Sequence, residues 1–324
     1  MVSADNKLRT DPAGTQALTV PLPSTPRSAA RLTPAAASML LAVCVALPAD
    51  EAAFAQEQPT SEPDAREVDK SRFTLFNPAP KEALREFNSD RPDVTESPYT
   101  LDAGHFQYEA GLFSFTRAGA RGERTDTSQV LPSNLKLGLL NNVDLQLVAE
   151  PYDNALTKTR HKATRGQGCG PTELRLKANL FGNDGGNVAV GLLPFIRFPT
   201  GGGRFSSGHI EGGFIVPVAF KLPAGFDLGT EVAFDFVRNQ ANDGYGVEFT
   251  HTLTLEHDIV GKLAGYVEYV GVSPYRTGQT YAPSIGTGLL YALTENVQLD
   301  GGVNVGLSDD ADDVTVFLGL SFRL

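Results

Sequence analysis

The sequence predicts an all-β chain, a transmembrane antiparallel β-barrel of about twelve strands with a short N-terminal segment on the periplasmic side or in the lumen. Three observations carry this. The first is "TELRLKANL", residues 172–180, where Glu173, Arg175, Lys177 and Asn179 alternate with Leu174, Leu176, Ala178 and Leu180. Successive side chains of a strand point to opposite faces, so one face is apolar and the other charged, whereas a helix would scatter the charges all round. The second is recurrence: twelve such segments begin near residues 104, 131, 143, 172, 187, 210, 226, 246, 262, 282, 297 and 314. An even number returns both ends to one side. The third is that the connections alternate in length. Tight turns follow the even strands ("NN" at 141, "GNDGG" at 182, "LPAG" at 222, "DIVG" at 258, "TEN" at 294), and longer polar loops follow the odd ones, such as "DNALTKTRHKATRGQGCGP" from 153 and "SDDADD" from 308. A soluble sandwich would satisfy the alternation but has no reason to sort its loops to opposite rims, as outer-membrane barrels do.

The first element is a leader. Residues 1–31 carry Lys7, Arg9, Arg27 and Arg31, the apolar run "AAASMLLAVCVALPA" follows, and then comes Ala53-Phe54-Ala55. That order is a secretory signal peptide over 1–55, cut before Gln56. The run is shorter than the ~20 apolar residues of a membrane-spanning helix. Cys44 lies in the leader behind the bulky Val43, a poor site for lipidation, so the mature chain keeps only Cys169 and has neither a disulfide nor a Cys-based metal site. The leader removes four bases and four acids (Asp5, Asp11, Asp50, Glu51), leaving the formal charge at -11. That argues against nucleic acid as a partner.

Residues 56–75 read as a disordered spacer and 76–102 as an N-terminal segment ahead of the barrel, 103–324. Pro80 opens one helical turn with Ala83, Leu84 and Phe87 on a single face. "SDRPDVTESP", residues 89–98, is too polar and too rich in proline for a strand or helix. It is either a periplasmic linker or a plug folded into the lumen. Such a plug would include Asp90; its Arg91 meets inward acids, while Asp93 and Glu96 meet Arg175 or Lys177.

Parity then sorts the barrel. With the Leu face of each strand outward, the bases Lys136, Arg175, Lys177 and Arg197 and the acids Glu231, Asp235, Glu248 and Glu268 fall inward as candidate pore-lining residues; Asp144, Glu150, Glu173, Asp227, Glu256 and Asp300 do too. Outward exceptions are Lys221 and Arg238, near strand ends, and His251. A Lys or Arg facing lipid costs roughly 2–4 kcal/mol at mid-bilayer and little at the interface. Phe106, Tyr108, Tyr152, Phe198, Phe226, Phe236 and Phe322 stand outward near strand ends, as an aromatic girdle would. The bases cluster on strands two, four and five and the acids on strands seven to eleven. A twelve-strand cylinder sets strand four opposite strand ten, so the charges either form a positive and a negative wall across an open lumen or pair across a packed one. In the last segment, "VTVFLGLSFRL", Val314, Val316, Leu318, Leu320, Phe322 and Leu324 share the outward face, as a strand that closes the barrel on the first would.

Residues 76–111, "FNPAPKEALREFNSDRPDVTESPYTLDAGHFQYEAG", contain Asp90, Arg91, Pro92, Asp93, Thr95, Glu96, Ser97 and Pro98, the Asp102 to His105 turn and Glu109. This block resembles the opening signature of the outer-membrane transporter family named for the MetA pathway of phenol degradation. "LRLKANLFGNDGG", followed by "LPFIRFPTGGG", resembles it too, although Pro171 in "GCGPTELRLK" stands where that family's pattern has an acid. The resemblance spans about residues 76–324. It implies an antiparallel barrel and a transport role.

Other chemistries fare worse. A lipid hydrolase needs an outward Ser beside an outward His, but the positions flanking His251 on its face are Phe249 and Leu253, and His257 is about 20 Å along the strand. Both histidines read as interface residues, and no catalytic residue is assigned. "SDDADD" lacks the glycine and terminal Glu of an EF-hand loop, so no metal site is assigned, and "TGGGRF" lacks the strand-to-helix context of a phosphate loop. The expectation is a channel of the bacterial outer membrane that passes small solutes without a cofactor, aromatic or hydrophobic compounds among them. Its partners would be membrane lipid and lipopolysaccharide, the barrel assembly machinery and the small-molecule solute. A structural or adhesive surface barrel is the runner-up.

Overall fold

Leu174, Leu176 and Leu180 are 39%, 41% and 60% exposed, while Glu173 is 6% and Lys177 0% exposed. Water cannot account for apolar side chains outside and charges inside; a lipid exterior around a polar lumen can. The computed structural model describes residues 69–120, 122–202, 205–239, 244–275 and 280–324. The expected signal peptide, and the spacer as far as residue 68, lie outside the described residues.

One antiparallel sheet contains β1 (Phe106–Ala120), β2 (Glu123–Val130), β3 (Ser133–Leu140), β4 (Val143–Ala149), β5 (Tyr152–Lys158), β6 (Ala163–Gly168), β7 (Thr172–Phe181) and β8 (Val188–Phe198). It continues through β9 (Glu211–Lys221), β10 (Phe226–Arg238), β11 (Tyr245–Val260), β12 (Leu263–Ser273), β13 (Ala282–Thr294), β14 (Val297–Gly306) and β15 (Val314–Arg323). β15 pairs with β1, so the sheet closes. Closure satisfies every edge that lipid would otherwise leave unpaired.

The fifteen strands make twelve crossings. β2 and β3 are two parts of one crossing, interrupted at 131–132; β4 and β5 are interrupted at 150–151, and β6 and β7 at 169–171. Pro132, Pro151 and Pro171 sit at the breaks, where a residue without an N–H cannot feed the ladder. This corrects the sequence reading of 153–171 as a loop. Residues 152–158 and 163–168 are strand, built above the lipid where neither face needs to be apolar. The turn expected at 258 also moves: β11 runs to Val260 and the chain reverses at 261–262.

Register fixes the faces. Asp144 lies opposite Lys177, Glu173 opposite Arg197, and Asp235 opposite Glu248, all on the inner face. Lys221 lies opposite Asp227 and bonds it at 3.4 Å, so it faces inward and the outward assignment fails. The slip has a local cause: β9 is apolar on both faces, Ile215, Pro217 and Ala219 on one and Val216, Val218 and Phe220 on the other, so alternation does not mark the side of Lys221. Arg238 faces outward, its guanidinium 5.2 Å from the Tyr245 ring centre. A closed antiparallel barrel with this exterior is an outer-membrane barrel.

Before β1 the chain is not a spacer over all of 56–75. A 3-10 turn spans Lys70–Arg72, Phe73 is buried, and Thr74 pairs with Leu140. A second 3-10 turn, Lys81–Ala83, has Pro80 at its N-cap. Ala83 and Leu84 pack with Phe73, Ala79 and Ala103 in a small apolar cluster at the periplasmic rim.

Candidate functional site

From Ala83 the chain enters the barrel and crosses the lumen as residues 88–102, without helix or strand. Pro92 and Pro98 deny it regular structure, so its backbone N–H groups need acceptors from elsewhere. The wall supplies carboxylates. Glu268 accepts from the N–H groups of Val94 and Thr95 at 3.0 and 2.9 Å, Glu231 from that of Glu96 at 2.6 Å, and Asp144 from that of Leu101 at 2.9 Å. The Thr95 hydroxyl lies 2.8 Å from Glu268 and bonds Thr252 and Thr254 at 2.6 and 2.7 Å. The Asn179 amide donates to the Pro98 carbonyl at 2.9 Å.

Ion pairs complete the seat. Asp90 accepts from Lys177 at 2.6 Å and from Lys136, which also meets Glu109. Burial opposes ionisation of Asp90, but the two lysines outweigh it and hold its pKa well below the usual carboxylate range. Arg91 grips Asp300 through two nitrogens, at 3.1 and 2.7 Å. Its guanidinium occupies the space a side chain at Gly319 would need, and the backbone of Asp102 likewise lies against Gly138. Glu96 pairs with Arg175, which also bonds Glu173 at 2.5 Å. At the periplasmic rim Arg85 bonds Asp102 and Asp184 at 3.0 and 2.9 Å and the Asn141 carbonyl at 2.8 Å.

Asp93 departs from expectation. It faces Glu268 and Glu256, with a hydrogen bond to Thr254, and neither Arg175 nor Lys177. Burial first, and those acids second, push its pKa well above 3.8. A raised acid pKa stabilises the seated segment fully at low pH, and that contribution is lost as pH rises from 3.8 through the raised value. Conductance through the lumen is therefore expected to increase with pH, and Asp93→Asn, which cannot ionise, to flatten the dependence. Identical pH profiles for the two proteins would remove Asp93 from the seat.

Thus Lys136, Arg175, Lys177, Glu231 and Glu268 touch the crossing segment. Arg197 instead bonds Glu173 and Asp235 at 2.9 and 2.8 Å; with Asp235 and Glu248 it lines an outer cavity of ≈ 700 Å³. Val94 forms part of that cavity's lining, with Phe205, Val237 and Val272 among its apolar walls. On the periplasmic side a second cavity of ≈ 550 Å³ is lined by Arg85, Phe87, Lys136, Asp144, Lys221 and Asp227, among others. The sequence reading assigned no part in the seat to Arg85, Asp102, Glu109, Thr252, Thr254 and Asn179. The surplus of inward acids facing a proline-broken segment was the available signal.

Among the described residues no His, Cys, Asp and Glu side chains group in threes to hold a metal ion. His251 faces outward, its Nε2 3.1 Å from the Tyr281 hydroxyl, which lies 2.6 Å from that of Tyr269. Phe249 stacks beside it, so aromatic rings surround it.

The barrel is similar to solved outer-membrane proteins. An outer membrane channel from Pseudomonas putida F1 superposes with a TM-score of 0.51 at 11% identity, over 73% of this chain and 100% of that one, a likeness that establishes the fold. The NanC porin follows at TM-score 0.42, 11% identity, 68% of this chain and 100% of that one. For the CymD monoaromatic hydrocarbon channel the values are 0.38, 9%, 68% and 87%. No curated protein matches the sequence. The family described as "Putative MetA-pathway of phenol degradation" matches residues 89–324, from the start of the lumen-crossing segment to the closing strand, and the chain belongs to that family.

Proposed function

We propose that the protein is a passive outer-membrane channel for small solutes, with residues 88–102 as its plug. The observation that carries this reading is the pair of cavities, one at each rim, with a peptide segment between them rather than a wall of strands. A segment held by side-chain bonds alone can shift where a sheet cannot. The outer cavity combines apolar walls with charged groups, which suits a small solute with one polar end. The family description, phenol degradation, supports aromatic solutes as the class.

Reversal potentials in planar bilayers under a salt gradient test the reading. Arg175→Ala with Lys177→Ala leaves Glu96 and Asp90 short of cations, and cation selectivity is expected to rise severalfold. Glu231→Gln with Asp235→Asn is expected to lower it. The density of bonds around the plug favours a second reading, a closed structural or adhesive barrel. No conductance from any of these proteins, each correctly folded, would decide for it.

A further inference from the structure

Beyond the level of the three proline breaks, β1, β2, β5 and β6 continue as a sheet above the barrel, and its outward face changes character with height. Val130 and Tyr152, opposite each other, are 38% and 43% exposed and continue the apolar exterior. The next row on that face is Ser128, Asn154 and Gln167, neutral and polar. Above it Arg117, Asp126, Leu156 and Arg165 align, and above those Arg124 and Lys158. At roughly 3.4 Å per residue these two rows lie about 14 and 20 Å along the strand from Tyr152, and somewhat less than that in height because the strands tilt. Thr159 and Lys162 close a tight hairpin through a 2.8 Å backbone bond, holding Arg160 at the tip beside Lys162.

Arg117, Arg124, Lys158 and Arg165 therefore share one outward face, with Arg160 and Lys162 in the hairpin at its upper edge, in a chain of net charge -11. The patch holds one acid, Asp126, which bonds Arg117 and Arg124 at 2.7 Å each. Among the described residues no carboxylate pairs with Lys158, Arg160, Lys162 or Arg165; Arg165 bonds the Asn154 amide oxygen at 2.8 Å. Unlike the lumen lysines, these have no internal anion to serve. The layer they meet just above the acyl chains of the outer leaflet is the phosphate-bearing part of lipopolysaccharide.

We propose that this face of β2, β5 and β6 is a docking surface for the phosphate groups of lipopolysaccharide. Guanidinium and ammonium groups bind phosphate by charge-assisted hydrogen bonds, and successive bases add to the attraction of an anionic surface. The height ordering, apolar then neutral then basic, matches a ligand anchored in the membrane rather than a free polyanion. The assignment does not depend on whether the lumen conducts.

The test uses the mature chain in detergent, with rough lipopolysaccharide and the same material after dephosphorylation as probes. The protein is expected to bind the phosphorylated form about tenfold or more tightly, and the preference to shrink at high salt. The combined variant Lys158→Ser, Arg160→Ser, Lys162→Ser and Arg165→Ser is expected to lose it. If that variant does not fold, Arg160→Ser with Lys162→Ser, both in the hairpin loop, carries the test. Equal binding of the two probes by the unaltered protein, or a preference that survives the substitutions, overturns the proposal. Displacement by millimolar inorganic phosphate alone would assign the surface to free phosphate instead, and overturn it as well.

Discussion

Asp90→Ala is expected to convert a weakly conducting barrel into an open one. The side chains of Lys136 and Lys177 are 5% and 1% exposed, and the Asp90 carboxylate bonds both. Its removal leaves Lys177 with Glu96, at 3.8 Å, and the Asp144 opposite it, and Lys136 with Glu109. Breaking a buried pair from one side costs about 3–5 kcal/mol, more than an isolated backbone bond of the plug returns. The cheaper outcome is for the segment around Asp90 to loosen locally and admit water to the lysines, while the bonds of Val94, Thr95 and Glu96 to the wall remain. Single-channel conductance should then increase severalfold and become noisy. The barrel wall does not share this cost, because its ladders run strand to strand, so heat-modifiable migration in detergent gels should persist. Asp90→Ala with Lys177→Met removes charge from both partners and should recover much of the closed state. A folded Asp90→Ala protein with unchanged conductance would mean that the plug does not gate the lumen.

The wall of this barrel was legible in its sequence because lipid enforces parity. Ten of the twelve crossings start within two residues of where the alternation begins; the other two start earlier, at Glu123 and Ala163, and only their later parts, β3 and β7, begin where the alternation does. Where lipid ends, so does the signal: β5 and β6 carry polar residues on both faces and read as loop. Lys221 escapes the parity rule for another reason: β9 is apolar on both faces, so the alternation does not tell which side its last residue takes. The plug was legible only in part. Its composition excluded helix and strand, and Arg91 and Glu96 invite partners of opposite charge. Asp93 broke that logic, because its place is set by the neighbouring N–H groups of Val94 and Thr95 reaching for Glu268. Complementary charge predicts where side chains go; a segment without its own secondary structure is placed by its backbone donors.

The closing strand provides the second large effect. Phe322 lies opposite Tyr108 across the β1–β15 seam with ring centres 5.6 Å apart, and the Leu324 N–H bonds the Phe106 carbonyl at 2.8 Å. Replacing Phe322 and Leu324 together by Asp should reduce the protein in the outer membrane of cells more than tenfold. Physical cost alone does not account for so large a loss. Both positions lie at the periplasmic end, where a charge on the lipid face costs roughly 0–1 kcal/mol, and the lost aromatic pair adds about 0.5–1.5 kcal/mol. A barrel should survive that, so the double variant is expected to refold from denaturant into detergent with near-normal yield and heat-modifiable migration. The loss in cells would then come from recognition: an apolar C-terminal face resembles the signal that barrel assembly machinery reads. The two measurements separate the causes. Failure both in cells and in detergent would make Phe322 and Leu324 a matter of stability, and normal insertion in cells would mean that the terminal face is not what the assembly step reads.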